Sequence, residues 1–190
     1  MTLMPGATPE PWRLVLQLLR LSRARFDMRC AEDLTSDLER LHDNISPRAY
    51  GLLTGLAVSY ARPFRAGEGS PYGPLEGKWW SFPGRPDLAT THDLLLEVRD
   101  TLLAHNDTSR HRDTIVMPDW MDGKPVVTEG RSPIDAAGVP VARELFRFQH
   151  DRFSVAAEAL AIRLQDSLGW KARGEINLDA ELRRLRRVDA

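Results

Sequence analysis

The feature that most constrains this chain is a long helical period at its amino-terminal end. From Pro11 to about Asn44 there is no internal proline or glycine, and Leu14, Val15, Leu18, Leu19, Phe26, Cys30, Leu34, Leu38 and Leu41 recur at intervals of three and four. A stripe of that period is one face of an α-helix, so the segment is expected to form one long helix, or two joined by a kink. So long a stripe needs another long element to cover it. The sequence supplies one from about residue 140 to 168, where Leu145, Phe148, Phe153, Val155, Ala156, Ala159, Leu160 and Leu164 repeat the pattern before Gly169 ends it. With 190 residues, 42% of them hydrophobic, the chain can bury a core and suits one domain with extra segments.

Shorter elements fill the interval. In "NISPRAY" Ser46 can cap a helix and Pro47 fits its first turn; Tyr50, Leu52, Leu53, Leu56, Ala57 and Tyr60 continue it to "ARPF", where Pro63 disfavours helical geometry at Arg62. Residues 63–86 hold five prolines and five glycines, far longer than the usual connection of about 4–6 residues. Within them "GPLEGKW" lacks both the spacing and the Ser or Thr of a phosphate-binding loop. Trp79 and Trp80 suit either stacking on bases or, the preferred reading, anchoring the loop to the core. Asp87 can cap a third helix reaching about His105. "RDTIVM" and "KPVVTE" flank "PDWMDG" and read as a small β-hairpin over 112–128. The expectation is a mainly all-α fold: a four- to five-helix bundle over residues 10–170 with that hairpin inserted before the last long helix. A flexible segment 1–9 precedes it, and residues 171–190 follow with a short basic helix.

No apolar stretch approaches the roughly 20 residues that cross a bilayer, and "MTLMPGATPE" does not read as a signal peptide. A cytoplasmic protein without membrane association is expected. Cys30, the only cysteine, rules out an intramolecular disulfide or a cysteine-based zinc site, and its spacing from Phe26 and Leu34 reads as a buried small hydrophobe. His42, His111 and His150 show no metal-ligand spacing; no metal or cofactor is expected. A net charge of −1 argues against coating nucleic acid by bulk electrostatics. The run "DAELRRLRRVDA" is read first as a solvated helix face, and second as the nucleic-acid contact of a helical regulator through Arg183, Arg184, Arg186 and Arg187.

The third helix, "LLLEVRDTLLAHND", poses a question of its own. On an ideal helix with Leu94 at zero, His105, Val98, Leu102 and Leu95 fall at about 20–100°, Leu103 and Leu96 at about 180–200°. So wide an apolar sector implies a helix covered on two sides, central to the bundle or at a subunit interface. Arg99 at about 140° and His92 at about 160° lie inside that sector, whereas Glu97, Asp93 and Asp100 gather on the polar arc. A guanidinium on that face must meet a carboxylate, a water-filled cleft or a phosphate. A plain ion pair and a core histidine are the simplest readings of Arg99 and His92.

The segment "VRDTLLAHND" resembles the signature of the HEPN superfamily (higher eukaryotes and prokaryotes nucleotide-binding), in which an Arg followed by a polar residue is separated from a His by four to six intervening residues. Here Arg99 is followed by Asp100, and five residues separate Arg99 from His105. The wider pattern "LHDN…AYGLL…YARPF…THDLLLEVRDTLLAHND" is similar to bacterial HEPN proteins of the abortive-infection U type, over roughly residues 10–165. The resemblance implies a helical bundle that dimerises through the motif-bearing helix and cleaves RNA without a metal, as a toxin or antiphage effector restrained by an antitoxin such as a nucleotidyltransferase. It implies that His105 transfers protons, that Arg99 holds the phosphate, that Asp100 orients one of them, and that Asn106 and His92 contribute to substrate binding. The alternative is a non-catalytic HEPN module that binds a partner protein or a nucleotide.

Overall fold

The computed structural model describes residues 10–41, 46–65, 73–75, 77–100, 114–116, 126–128, 138–169 and 176–188. Helix α1 (Pro11–Glu39) is a single unbroken helix with proline in its first turn. Helix α2 (Pro47–Ala61) starts as its sequence requires, the Ser46 hydroxyl accepting from the Ala49 N–H at 3.2 Å. At Arg62–Phe64 it tightens into a 3-10 turn around Pro63. Helix α3 (Pro86–Val98), the short strands β1 (Thr114–Val116) and β2 (Val126–Thr128), helix α4 (Gly138–Leu168) and helix α5 (Leu178–Val188) follow. The fold is mainly helical. The two strands pair antiparallel with Ile115 opposite Val127; the expected turn at Asp122-Gly123 lies outside the described residues. Among the described residues no helix is long and apolar enough to cross a membrane.

The core is the seam between α1 and α4, closed by α2 and α3. The two long helices run antiparallel: Arg143 meets Glu39 at 2.6 Å and Arg147 meets Glu32 at 2.6 Å. Both pairs are solvent-accessible and fix register more than they stabilise. The buried face of α1 includes the expected Leu14, Val15, Leu18, Leu19 and Leu38 and departs from expectation in the middle of the helix. Phe26 is 65% exposed and Cys30 is half-buried, whereas Leu21, Ala24, Met28, Ala31, Thr35 and Leu38 face inward. Those six alternate steps of three and four, a seam that two alanines keep narrow enough for close helix approach. The buried Thr35 hydroxyl is satisfied by donating to the Ala31 carbonyl at 2.8 Å. Leu34 lies against α2 at Gly55, where a Cβ would come within 3.2 Å of its Cδ1. On α4, Val155 is 69% exposed rather than buried; Phe146, Gln149 and Ala157 take inward positions instead.

Polar pairs fasten the other elements. Arg62 donates to the buried Asp27 carboxylate at 2.7 Å, linking α1 to the end of α2. Burial raises the Asp27 pKa, and the opposing pull of Arg62 does not cancel it. Helix α5 is capped by Asn177, whose Oδ1 accepts from the Ala180 N–H at 2.9 Å, and it buries Leu182. Two of its arginines have partners: Arg184 pairs with Glu181 of the same helix, and the Arg186 guanidinium lies 5.3 Å from the Trp12 ring.

Candidate functional site

Helix α3 carries the residues that the sequence singles out. Pro86 occupies its first turn and Arg85 is the residue before it, so Asp87 sits inside the helix rather than capping it. The carboxylate of Asp87 instead receives two hydrogen bonds from Arg85, at 3.1 and 2.7 Å, and these hold its pKa below the usual carboxylate value. Arg85 also reaches Glu144 of α4 at 2.7 Å. Leu88, His92, Leu95, Leu96 and Val98 are buried, while Asp93 and Glu97 are exposed, which is the division the helical period requires.

At the carboxyl end of α3 the Arg99 N–H bonds to both the Leu95 and Leu96 carbonyls, and residues 99–100 take the wider π-helical geometry that is frequent at functional sites. Arg99 meets a carboxylate: its guanidinium donates to Asp100 Oδ1 at 2.9 Å. A second arginine, which sequence reasoning did not single out, takes the other oxygen. Arg65 lies 2.7 Å from Asp100 Oδ2. The Arg65, Asp100 and Arg99 side chains are 33%, 36% and 34% exposed, so the cluster is half-buried. Two guanidiniums about one carboxylate carry a formal net charge of +1 and keep N–H edges for an anion such as phosphate. Arg65 is positioned because α2 continues into the turn that buries Phe64, with the Arg65 N–H bonded to the Ala61 carbonyl at 3.1 Å. The signal for it in the sequence was only its place directly after "ARPF".

The two tryptophans of the long segment differ in burial. Trp79 is buried and packs edge-on against Phe153 at 5.1 Å. Its carbonyl accepts from Gln149 at 2.9 Å, and Arg152 donates to the Lys78 and Ser81 carbonyls at 3.1 and 3.0 Å. Three carbonyls of this short stretch are thus held from α4. Trp80 is 42% exposed, with the Arg65 guanidinium 5.9 Å from its ring.

His92 belongs to the core rather than to the arginine cluster. It is 2% exposed, its Nδ1 lies 2.6 Å from the Tyr60 hydroxyl, and the rings of Tyr60, Phe64, Trp80 and Phe82 lie 5.0–6.0 Å away. Burial lowers its pKa to about 4. Its Nε2 has no hydrogen-bond partner among the described residues, so the positive charge that a second proton brings would be costly there. The unfolded histidine titrates near 6.5. As pH falls, the unfolded chain therefore takes up the proton first, and the stability held by the neutral ring is present above 6.5 and lost between about 6.5 and 4. The expected loss is about 3 kcal/mol. Urea unfolding at pH 7.5 and 4.5 checks this, with His92→Phe expected to flatten the dependence; an unchanged slope in that variant would assign the loss to other groups.

His105 and Asn106 lie outside the described residues. The structure therefore brings together Arg99, Asp100 and the unforeseen Arg65, and sets the His92 ring 6.0 Å from that of Trp80. Among the described residues no group of three or more His, Cys, Asp or Glu side chains could hold a metal ion. No family model, no curated protein and no solved structure matches the chain.

Proposed function

We propose that this chain is a metal-independent endoribonuclease of the HEPN type, working as a homodimer that brings two copies of the Arg99–His105 helix together. The observation that supports the reading is the half-buried Arg99–Asp100 pair at the end of a helix whose broad apolar face is buried. A surface ion pair needs no such helix, and a core position would not leave the guanidinium a third exposed. A cleft that admits a phosphate accounts for both.

In this reading the 2'-hydroxyl of RNA attacks the adjacent phosphorus, its proton passes to a base, and the 5'-oxygen leaves with a proton from an acid. His105 serves as the proton-transfer group, since an imidazole changes charge near neutral pH. Arg99 stabilises the phosphorane charge through its planar fork. Asp100 fixes that fork, and Asn106 donates to a phosphate oxygen. His92 serves substrate binding indirectly, by supporting Trp80. A toxin or antiphage role, restrained by a nucleotidyltransferase-like antitoxin, fits such an activity.

The test is incubation of purified protein with mixed cellular RNA, including tRNA, in EDTA. The expected result is fragments ending in 2',3'-cyclic phosphate that disappear with His105→Ala. Intact RNA from a folded dimer would overturn the proposal in favour of a non-catalytic module binding a protein or nucleotide.

A further inference from the structure

We infer that Trp80 and Arg65 form a nucleobase-stacking subsite for single-stranded RNA, contiguous with Arg99 and Asp100. The choice of RNA as ligand rests on the ribonuclease reading; the existence of the subsite rests on the following geometry.

Trp80 is a large aromatic side chain left 42% exposed beside a neighbour, Trp79, that is buried. Its placement is fixed by others. Gln149 and Arg152 hold the carbonyls of Lys78, Trp79 and Ser81, so the backbone on both sides of Trp80 is tied to α4. Beside it the ring of His92 lies 6.0 Å away, tilted by 51°, itself fixed by Tyr60. A platform ordered before its ligand arrives loses little entropy on binding.

Arg65 connects this platform to the anion site. Its guanidinium is within cation–π range of the Trp80 ring and simultaneously pairs with Asp100. A base stacked on the indole would place its sugar-phosphate near the two guanidiniums that share Asp100. Aromatic face plus flanking cation is the chemistry by which single strands are held without base-pair readout. A free inorganic anion would use the arginines and leave the indole idle, whereas a nucleotide chain uses both.

The test is fluorescence anisotropy with a labelled 2'-O-methyl oligoribonucleotide, which has no 2'-hydroxyl to attack and so cannot be cleaved. A matched abasic oligomer and melting curves accompany it. Trp80→Ala is expected to weaken binding of the base-bearing oligomer by about tenfold or more and to leave abasic binding unchanged. Trp80→Phe should retain most of the affinity. Arg65→Ala should weaken both oligomers and lower the salt dependence by about one released counterion. Equal binding by wild type and Trp80→Ala, or equal losses on both oligomers, would overturn the inference. Trp80-dependent binding by a protein that cuts no RNA in EDTA would remove the ribonuclease reading and sustain the subsite; cleavage that is indifferent to Trp80 in both binding and rate would do the reverse.

Discussion

Arg99→Ala is expected to slow RNA cleavage by about a hundred- to a thousandfold, the usual cost of removing one donor to a developing phosphorane or oxyanion charge. The same change should lower folding stability by no more than about 1 kcal/mol, because the Arg99–Asp100 pair is a third exposed and screened by water. This disparity distinguishes the two roles open to the residue. A structural arginine would lose stability and activity together, whereas a transition-state arginine loses rate alone. Lysine at this position keeps the charge and loses the planar two-pronged donor, so Arg99→Lys should recover binding more than turnover. Single-turnover cleavage measured beside thermal melting decides the matter. Cleavage within threefold of wild type by a folded Arg99→Ala protein would remove the residue from the chemistry.

Phe153→Ala is expected to destabilise the fold by about 3–5 kcal/mol, the range for truncating a large buried aromatic. In a protein of this size that corresponds to a melting point lower by on the order of 10 °C. Phe153 is fully buried and touches Phe64 at 6.2 Å and Trp79 at 5.1 Å. Its ring therefore supports the turn that carries Arg65 and the turn that carries Trp80. The cost should reach the site as well as the core, with RNA binding weakened even at temperatures where the variant remains folded. Phe153→Leu, which refills most of the volume, should restore much of both. A melting point within about 2 °C of wild type for Phe153→Ala would mean that the cavity collapses without loss.

Helix positions were legible in the sequence because their ends carry local chemistry. Ser46 with Pro47, Pro63 and Gly169 act on their own neighbours, and each marks a boundary where the structure has one. The inward face of α1 was harder to read. Counting hydrophobic residues at helical spacing favours Phe26 and Cys30, but close helix approach favours Ala24 and Ala31, and the second requirement depends on a partner more than a hundred residues away. Asp87 fails as a cap for a similar reason: Pro86 takes the first helical position, and the carboxylate is better satisfied by Arg85.

Within the candidate site, Arg99 was legible as a charge on an apolar face, because the helical period alone places it there. Its need for a carboxylate, a water-filled cleft or a phosphate followed from the cost of burying a guanidinium, and Asp100 supplies the first of these. Arg65 was not legible, since nothing near it in sequence tells which helix end it will meet. His92 answers to the simpler of its two readings. Its place in the apolar sector marked it as unusual, and its ring proves to be a core element bonded to Tyr60.

The antiparallel seating of α1 on α4 also sets an order of events during synthesis. The ion pairs and the buried seam between them join residues separated by 104–115 positions, so the first long helix to leave the ribosome waits for the last. At about 5–20 residues per second, that wait is on the order of ten seconds, during which the inward stripe of α1 has only α2 against which to shelter. A nascent chain of this kind presents an extended greasy surface early and conceals it late, so it is most open to aberrant association before the closing helix emerges.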